Sequence, residues 1–276
     1  MKLLPILLSL ALLLSLTGCG RSDAGANSMT VLYLDVGKAD CTILTDGAHT
    51  VLIDCAETDD GETILSVLKE NRISQIDLLI VTHFDKDHIG GVPEVLSSFS
   101  VLHVIEPDYA PENPEAEAYT AYRAALELAS ITPEAVSDAL DVMLGDMQLS
   151  ILGAGGAAYE KNTDNNNSLV VTVTHCENRF FFAGDIEKQR IADLLEAGVS
   201  SCDVLKVPHH GVYNKQLPAL FAALGMKEAV ITCSEKNPAN SETIDRLDAL
   251  GCRVWQTVNG TVRVISNQNG ITISQK

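Results

Sequence analysis

Aromatic residues are scarce in this chain, 5% of 276 positions with a single Trp, so an aliphatic core is expected. Basic residues are also in short supply, 19 against 37 acidic ones, with no run of even three Lys or Arg. That imbalance argues against polyanionic partners. The seven cysteines include no Cys-x-x-Cys pair, which removes the commonest zinc-ribbon spacing. No Gly-x-Ser-x-Gly elbow is present, so a serine nucleophile of that type is excluded. Gly153–Gly156 is too short for a Walker loop and lacks its Lys. There is no internal repeat and no second linker, and the length suits one large domain rather than two.

The longest apolar run, residues 3–16, is too short to span a bilayer. It follows Met1-Lys2 and ends in Leu16-Thr17-Gly18-Cys19, which reads as a secretory leader. A Cys directly after Leu-x-Gly is similar to the bacterial lipoprotein signal. Residues 1–18 are therefore expected to be a signal peptide, with Cys19 lipidated and the product extracytoplasmic, anchored to the cell membrane. Residues 19–28 are small and polar, a flexible tether. Residues 29–276 form the domain. Residues 1–18 carry one charge, Lys2, so the rest holds 18 basic against 37 acidic residues, a formal net charge of −19. Most of the six remaining cysteines lie in or beside apolar runs and read as small buried hydrophobes; secretion permits disulfides, but no pairing follows from the spacing.

Strand-like segments at 30–35, 41–45 and 50–54 are β-branched and separated by turn residues, suggesting an antiparallel opening. Residues 62–71 have helical spacing with Ile64, Leu65 and Leu68 on one face. Further strands are expected at 77–82, 101–105, 147–152, 169–174 and 179–183, with a helix at 119–129. Helices at 186–196, 216–224 and 241–250 interleave with strands at 204–207, 229–232 and 253–256. A hairpin over 259–274 closes the chain. Mixed strands with helices to cover both outer faces make an α/β layered fold.

Polar residues collect where greasy strands end. Thr82-His83-Phe84-Asp85-Lys86-Asp87-His88-Ile89-Gly90-Gly91 follows the apolar run Asp77-Leu78-Leu79-Ile80-Val81. Phe180-Phe181-Phe182 runs into Ala183-Gly184-Asp185, and Val204-Leu205-Lys206-Val207 into Pro208-His209-His210-Gly211. Asn165-Asn166-Asn167-Ser168 precedes another strand. Strand ends in such sheets face a shared crevice, and imidazole with carboxylate suits a divalent metal. A single such stretch would read equally well as a solvated turn, but several together point to one metal site. His49, His103 and His175 lie in or beside strand runs and read as structural or surface residues.

This series resembles the metallo-β-lactamase fold hydrolases, and more closely the soluble domain of ComEC-type competence proteins. Leu34-Asp35-Val36-Gly37-Lys38-Ala39-Asp40 and Leu52-Ile53-Asp54-Cys55 are similar to that branch's LDVGQGD and LIDCG segments. The resemblance runs from about residue 30 to 265 and implies an αβ/βα sandwich with its metal centre where the two sheets meet. It implies His83, Asp85, Asp87, His88 and Asp185 as ligands, with Asp185 bridging two ions. One of His209 and His210 would complete the set, His209 being narrowly favoured. The family has His where Asp85 stands, and usually another His before the bridging Asp. Asn167 and Ser168 occupy that region here, as supporting or substrate-facing residues, so one metal position is expected to be weak or empty. One or two divalent ions, zinc or manganese, would activate water by lowering its pKa. Asp87 is expected to orient that water and pass on its proton, while His210 or Lys206 steadies developing charge; Lys206 reads equally as an ordinary strand-end charge. The oxygen-rich donor set shifts the metal preference toward manganese. Within this family the resemblance implies phosphoester substrates, since ComEC-type domains are associated with degradation of a DNA strand and extracellular relatives with phosphocholine esters. DNA is disfavoured by net charge, β-lactams by Asp85 and the missing His. The alternatives are a ComEC-like nuclease acting during DNA uptake and a non-catalytic metal- or ligand-binding lipoprotein.

Overall fold

The apolar runs pair into two sheets that lie face to face. The structure, a computed structural model, describes residues 27–276; the leader, Cys19 and most of the tether lie outside them. The first sheet holds β1 (Met29–Tyr33), β2 (Thr42–Thr45), β3 (Thr50–Ile53), β4 (Gln75–Ile80), β5 (Ser100–Pro107) and β6 (Glu134–Val136). The second holds β7 (Ala139–Leu144), β8 (Met147–Leu152), β9 (Val170–His175), β10 (Asn178–Phe182), β11 (Val204–Lys206), β12 (Glu228–Ile231) and β13 (Arg253–Gln256). A last hairpin, β14 (Val262–Asn267) and β15 (Gly270–Gln275), returns to the first sheet, whose order is β15-β14-β1-β2-β3-β4-β5-β6. The second sheet runs β13-β12-β11-β10-β9-β8-β7. Each sheet is antiparallel on one side and parallel on the other: β3 to β6, and β10 to β13, run parallel.

Period-two alternation in the strands separates three cores. Val51 and Ile53 of β3 meet Phe180 and Phe182 of β10 between the sheets, and Tyr33 stacks on Phe182 with ring centroids 5.8 Å apart. Leu52 points the other way, under α1 (Gly61–Glu70), α3 (Val92–Ser98) and α4 (Glu117–Leu128). Phe181 likewise faces α6 (Lys188–Ala197), α7 (Leu217–Leu224) and α8 (Ser241–Ala249). Ile64, Leu65 and Leu68 form the buried face of α1 as their spacing predicts. The result is the expected αβ/βα sandwich. Among the described residues no helix is long and apolar enough to cross a membrane.

Three elements depart from the sequence reading. Strands β6 and β7 carry the chain from one sheet to the other, yet neither was expected. β7 is an edge strand whose residues alternate between exposed and half-buried, so it lacks the continuous apolar signal of a central strand. α5 (Thr163–Asn166) is a single turn within the asparagine-rich stretch. The six described cysteines are free thiols; five are buried and Cys176 is exposed at the β9–β10 turn.

The histidine–aspartate motif is sewn to the loop after β3. It enters α2 (Lys86–Ile89) directly, and Cys55 N–H donates to His88 O at 2.7 Å. Gly90 N–H and Gly91 N–H donate back to Ala56 O and Cys55 O at 2.8 and 3.0 Å. These two glycines are required by closeness rather than by dihedral angle, since both have ordinary helical φ. A Cβ on Gly91 would lie 2.4 Å from Cys55 O, and one on Gly90 2.4 Å from Thr58 N. Both obstacles are backbone. Gly91→Ala is therefore expected to destabilise the fold by about 1–3 kcal/mol, the usual range for overpacking. Urea unfolding should show a lower midpoint at unchanged slope.

Candidate metal centre

Five strand ends deliver the polar side chains. Asp54 follows β3, Thr82 and His83 follow β4, Asp185 follows β10, His210 follows β11 and Thr232 follows β12. All five strands belong to the parallel parts of the two sheets, so their carboxyl ends open on one side of the molecule. Phe84 separates the histidine from the aspartates of the motif. Its ring is buried against Tyr109 and Tyr119, at 5.0 and 5.1 Å between centroids, which pins the loop. The rings of His83 and His88 then lie tilted against each other, with centroids 4.0 Å apart.

Hydrogen-bond accounting assigns the tautomers of three histidines. The Thr82 hydroxyl donates its one proton to Asp54 Oδ2 at 2.7 Å, so toward His83 Nδ1, 3.1 Å away, it can only accept. His83 therefore carries its proton on Nδ1. His88 Nδ1 lies 2.7 Å from Asp54 Oδ2, a carboxylate that can only accept, and is protonated as well. In the other sheet Thr232 Oγ1 donates to Asp40 Oδ1 at 2.6 Å and accepts from His210 Nδ1 at 2.9 Å. The three Nε2 atoms are thus free to offer lone pairs, and all three are buried without a hydrogen-bond partner, as is Asp185 Oδ1. His88 Nε2 is 3.3 Å from Asp185 Oδ1 and His210 Nε2 is 3.2 Å from Asp185 Oδ2, with Asp87 Oδ2 at 3.5 Å from His210 Nε2.

Acceptors facing acceptors in a buried pocket need a cation between them. Four groups of donors lie within reach of a common point among the described residues, and two of them use the free Nε2 atoms without Asp40: His83, His88 and Asp185, and Asp87, His88 and His210. Carboxylate–histidine pairs such as Asp54–His88 are the usual outer support of imidazole ligands. Electrostatics agree. The carboxylates of Asp40, Asp54, Asp85, Asp87 and Asp185 less the Lys206 ammonium leave a formal charge of −4 with neutral imidazoles, which two divalent ions would balance. Burial works to lower the pKa of His88, but Asp185 and Asp54 outweigh it and hold it well above the usual range. His210 is raised in the same way by Asp185 and Asp40. Burial likewise works to raise Asp185, but His210 and His88 hold it well below the carboxylate range. The residues present fit a divalent metal.

The metallo-β-lactamase superfamily model matches residues 34–234, a span that contains all of these groups. The chain belongs to the metallo-β-lactamase superfamily. It is a metal-dependent hydrolase of that superfamily, with relatives named ComE operon protein 3, recombination protein 2 and hydroxyacylglutathione hydrolase. ComE operon protein 3 of Bacillus subtilis (strain 168) is 28% identical over 209 residues, 74% of this chain and 26% of that protein. Recombination protein 2 of Haemophilus influenzae is 25% identical over 251 residues, 88% of this chain and 29% of that protein. The chain thus spans less than a third of the length of these curated relatives. Among solved structures, the metallo-β-lactamase fold protein YhfI of Bacillus subtilis has a TM-score of 0.55 at 10% identity, covering 90% of this chain and all of that one. Igni18, a metallo hydrolase of Ignicoccus hospitalis, also gives 0.55, at 15% identity over 86% of this chain and 98% of its own. At these identities the solved structures speak for the fold.

Within the metallo-β-lactamase centre the expected residues separate into groups. His83, Asp87, His88 and Asp185 come together. Asp85 stands further out, its side chain 44% exposed and its Oδ2 3.7 Å from His83 Nε2. The choice of His209 over His210 is reversed by the geometry. His210 is buried with a free Nε2, whereas His209 remains 19% exposed, its Nδ1 3.2 Å from Glu187 Oε1 and its Nε2 3.9 Å from Asp185 Oδ2. Lys206 is buried in an ion pair with Asp40, and its Nζ is 3.8 Å from Asp185 Oδ1. It faces carboxylates inside the centre rather than an incoming substrate. Ser168 Oγ accepts the Asp185 backbone N–H at 3.2 Å, while the Asn167 amide donates to Thr163 O and closes α5. His175 is buried and bonds Ser266 Oγ at 2.9 Å, and His49 bonds Asp46, both away from the centre. Asp40, Asp54, Thr82 and Thr232 were not anticipated as site residues. The signal was present, since Asp54 and Thr232 end apolar strands as Asp185 does.

Removing the outer support should weaken metal binding without unfolding the protein. Asp54→Asn is expected to reduce divalent affinity about 10–100-fold, the range for loss of such partners, measured by competition with a chromophoric chelator. His210→Ala should lose metal more severely than His209→Ala. Equal metal content in the two histidine variants would reverse the ligand assignment.

Proposed function

We propose that the protein hydrolyses small or surface-attached phosphoesters at the cell surface. The observation that carries this reading is the convergence of three imidazole Nε2 atoms and Asp185 beside an open cleft of about 550 Å3. The cleft is lined by Phe84, Asp85 and Asp87 of the motif together with Pro111, Asn113 and Asp164. A divalent ion held there would supply Lewis acidity and bring the pKa of water from 15.7 toward about 7. Asp87 reaches both the His210 side of the centre and the cleft, and so can accept a hydrogen bond from the nucleophilic water and orient it. In hydrolysis the water oxygen bonds to phosphorus, the P–O bond to the leaving alcohol breaks, and the water proton passes by Asp87 to the departing alkoxide. Lys206 and Asp40 hold Asp185 and His210 in place behind that step.

Supporting the surface location is the leader ending in Leu16-Thr17-Gly18-Cys19. A role in DNA degradation draws support from the ComE operon relative. Against it stand the net charge of −19 beyond residue 18 and the acidic cleft, because non-specific nucleic-acid affinity comes mainly from Lys and Arg neutralising phosphates.

The testing experiment is metal analysis of the purified protein alongside a panel of phosphodiesters, phosphomonoesters and single-stranded DNA. Asp87→Ala should retain the fold and lose hydrolysis. Manganese should restore stripped enzyme better than zinc if the exposed Asp85 turns in beside Asp87 and Asp185 to make the donor set oxygen-rich. Restoration by zinc alone would count against that preference. Submicromolar DNA binding at ~0.15 M salt, falling steeply as salt rises, would return the nuclease reading.

A further inference from the structure

The cleft beside the metal centre is acidic, yet on the reading above it must receive an anion. Glu57, Asp85, Asp87, Glu117 and Asp164 line it, against two lysines, Lys38 and Lys86. The lysines differ. Lys86 Nζ is held by both oxygens of Glu57, at 3.2 and 3.1 Å, so its charge is cancelled locally. Lys38 makes no ion pair among the described residues, and it is half-buried in the cleft lining together with Asp85 and Asp87. Its loop, between β1 and β2, is fixed at both ends: Leu34 N–H donates to Cys41 O at 3.1 Å, and Asp40 N–H donates to Asp87 O at 3.0 Å. The second bond couples the position of Lys38 to the backbone of the metal motif itself.

We propose that Lys38 binds a non-bridging oxygen of the substrate and selects phosphodiesters over phosphomonoesters. The argument is one of charge. Two divalent ions would balance the formal −4 of the centre, and Lys86 cancels Glu57. The cleft then offers one free positive charge among its remaining carboxylates. A phosphodiester carries one negative charge, which a single ammonium matches. A monoester with a second pKa of about 6 is close to a dianion at neutral pH, and its second charge meets only carboxylates. A long polyanion would place its flanking phosphates against the same acidic wall. The proposal rests on the phosphoester reading and narrows it to small monoanionic diesters.

The test compares wild type, Lys38→Gln and Lys38→Arg as manganese-loaded full chains. The measurements are hydrolysis of bis-p-nitrophenyl phosphate and p-nitrophenyl phosphate, and calorimetric affinity for dimethyl phosphate. Loss of one charge-assisted contact should raise the diester KM about tenfold, or about 1.4 kcal/mol, with kcat and metal content little changed. The dimethyl phosphate Kd should rise by the same factor, Lys38→Arg should recover most of both, and the diester preference should narrow in Lys38→Gln. A KM and a Kd within twofold of wild type in Lys38→Gln would overturn the assignment. So would a loss of bound metal that accounts for the change, because Lys38 would then act through its loop. If wild type hydrolyses neither ester while dimethyl phosphate affinity depends on Lys38, the phosphoesterase reading falls and the anion contact stands.

Discussion

Three imidazole lone pairs and a carboxylate turned toward one another constitute a repulsive arrangement that persists only around positive charge. Everything near the centre serves to keep it so. Asp54 holds the proton of His88 on Nδ1 directly, and Asp54 through Thr82 and Asp40 through Thr232 do the same for His83 and His210. Substitution of Thr82 or Thr232 by an isosteric Val would free the ring proton of His83 or His210 to move, while His88 would keep its direct carboxylate partner. The ladder of backbone hydrogen bonds between the motif and the loop after β3 then holds Asp54 opposite His88. In the metal-free protein, protons on the imidazoles are the substitute cations, which is the physical meaning of the raised pKa values of His88 and His210.

Four of the eight left-handed non-glycine residues among the described ones lie at this centre, so part of the backbone strain is stored there. Asp54 and Ala56 adopt left-handed backbone angles, as do His209 and His210 in succession before Gly211. Such conformations cost non-glycine residues of order 1–3 kcal/mol each and survive where surrounding structure over-determines them. Here the surrounding structure is identifiable. Asp54 is held by the Thr82 N–H and hydroxyl, and His210 by Thr232, while His209 N–H bonds to Gly184 O at 3.2 Å. Gly184 is itself left-handed and packed so closely on Ser168 that a Cβ would lie 2.8 Å from the serine Cβ.

Much of this was legible in the residues. The central strands carry continuous apolar runs and were read to within a few residues, as were the amphipathic helices over Ile64, Leu65 and Leu68 and over Leu220 and Leu224. The edge strand β7 was missed because a strand with one neighbour and one wet side has half the signal. The motif histidines and Asp185 stood out because charge at the end of a greasy strand is expensive without a ligand. The Pro208-His209-His210-Gly211 stretch could not be resolved on paper, because which histidine turns inward depends on two consecutive left-handed residues. Asp40 was passed over for a different reason. Its partners Thr232, Lys206 and His210 lie more than 160 positions away, and no local pattern announces a contact between sheets.

The division of ligands between the sheets has a consequence for the integrity of the whole chain. His83, Asp87 and His88 belong to the first half of the sandwich, Asp185 and His210 to the second. An ion shared by these side chains is therefore a rivet between two layers that are also joined by the apolar seam around Tyr33 and Phe182 and by the contacts of Asp40 with Thr232 and Lys206. At a free concentration a hundred times its dissociation constant, such an ion would add about 2.7 kcal/mol to the resistance of the folded chain to opening. The supply of a trace nutrient would thus govern how long the two layers stay closed against proteases, as well as how fast the centre turns over.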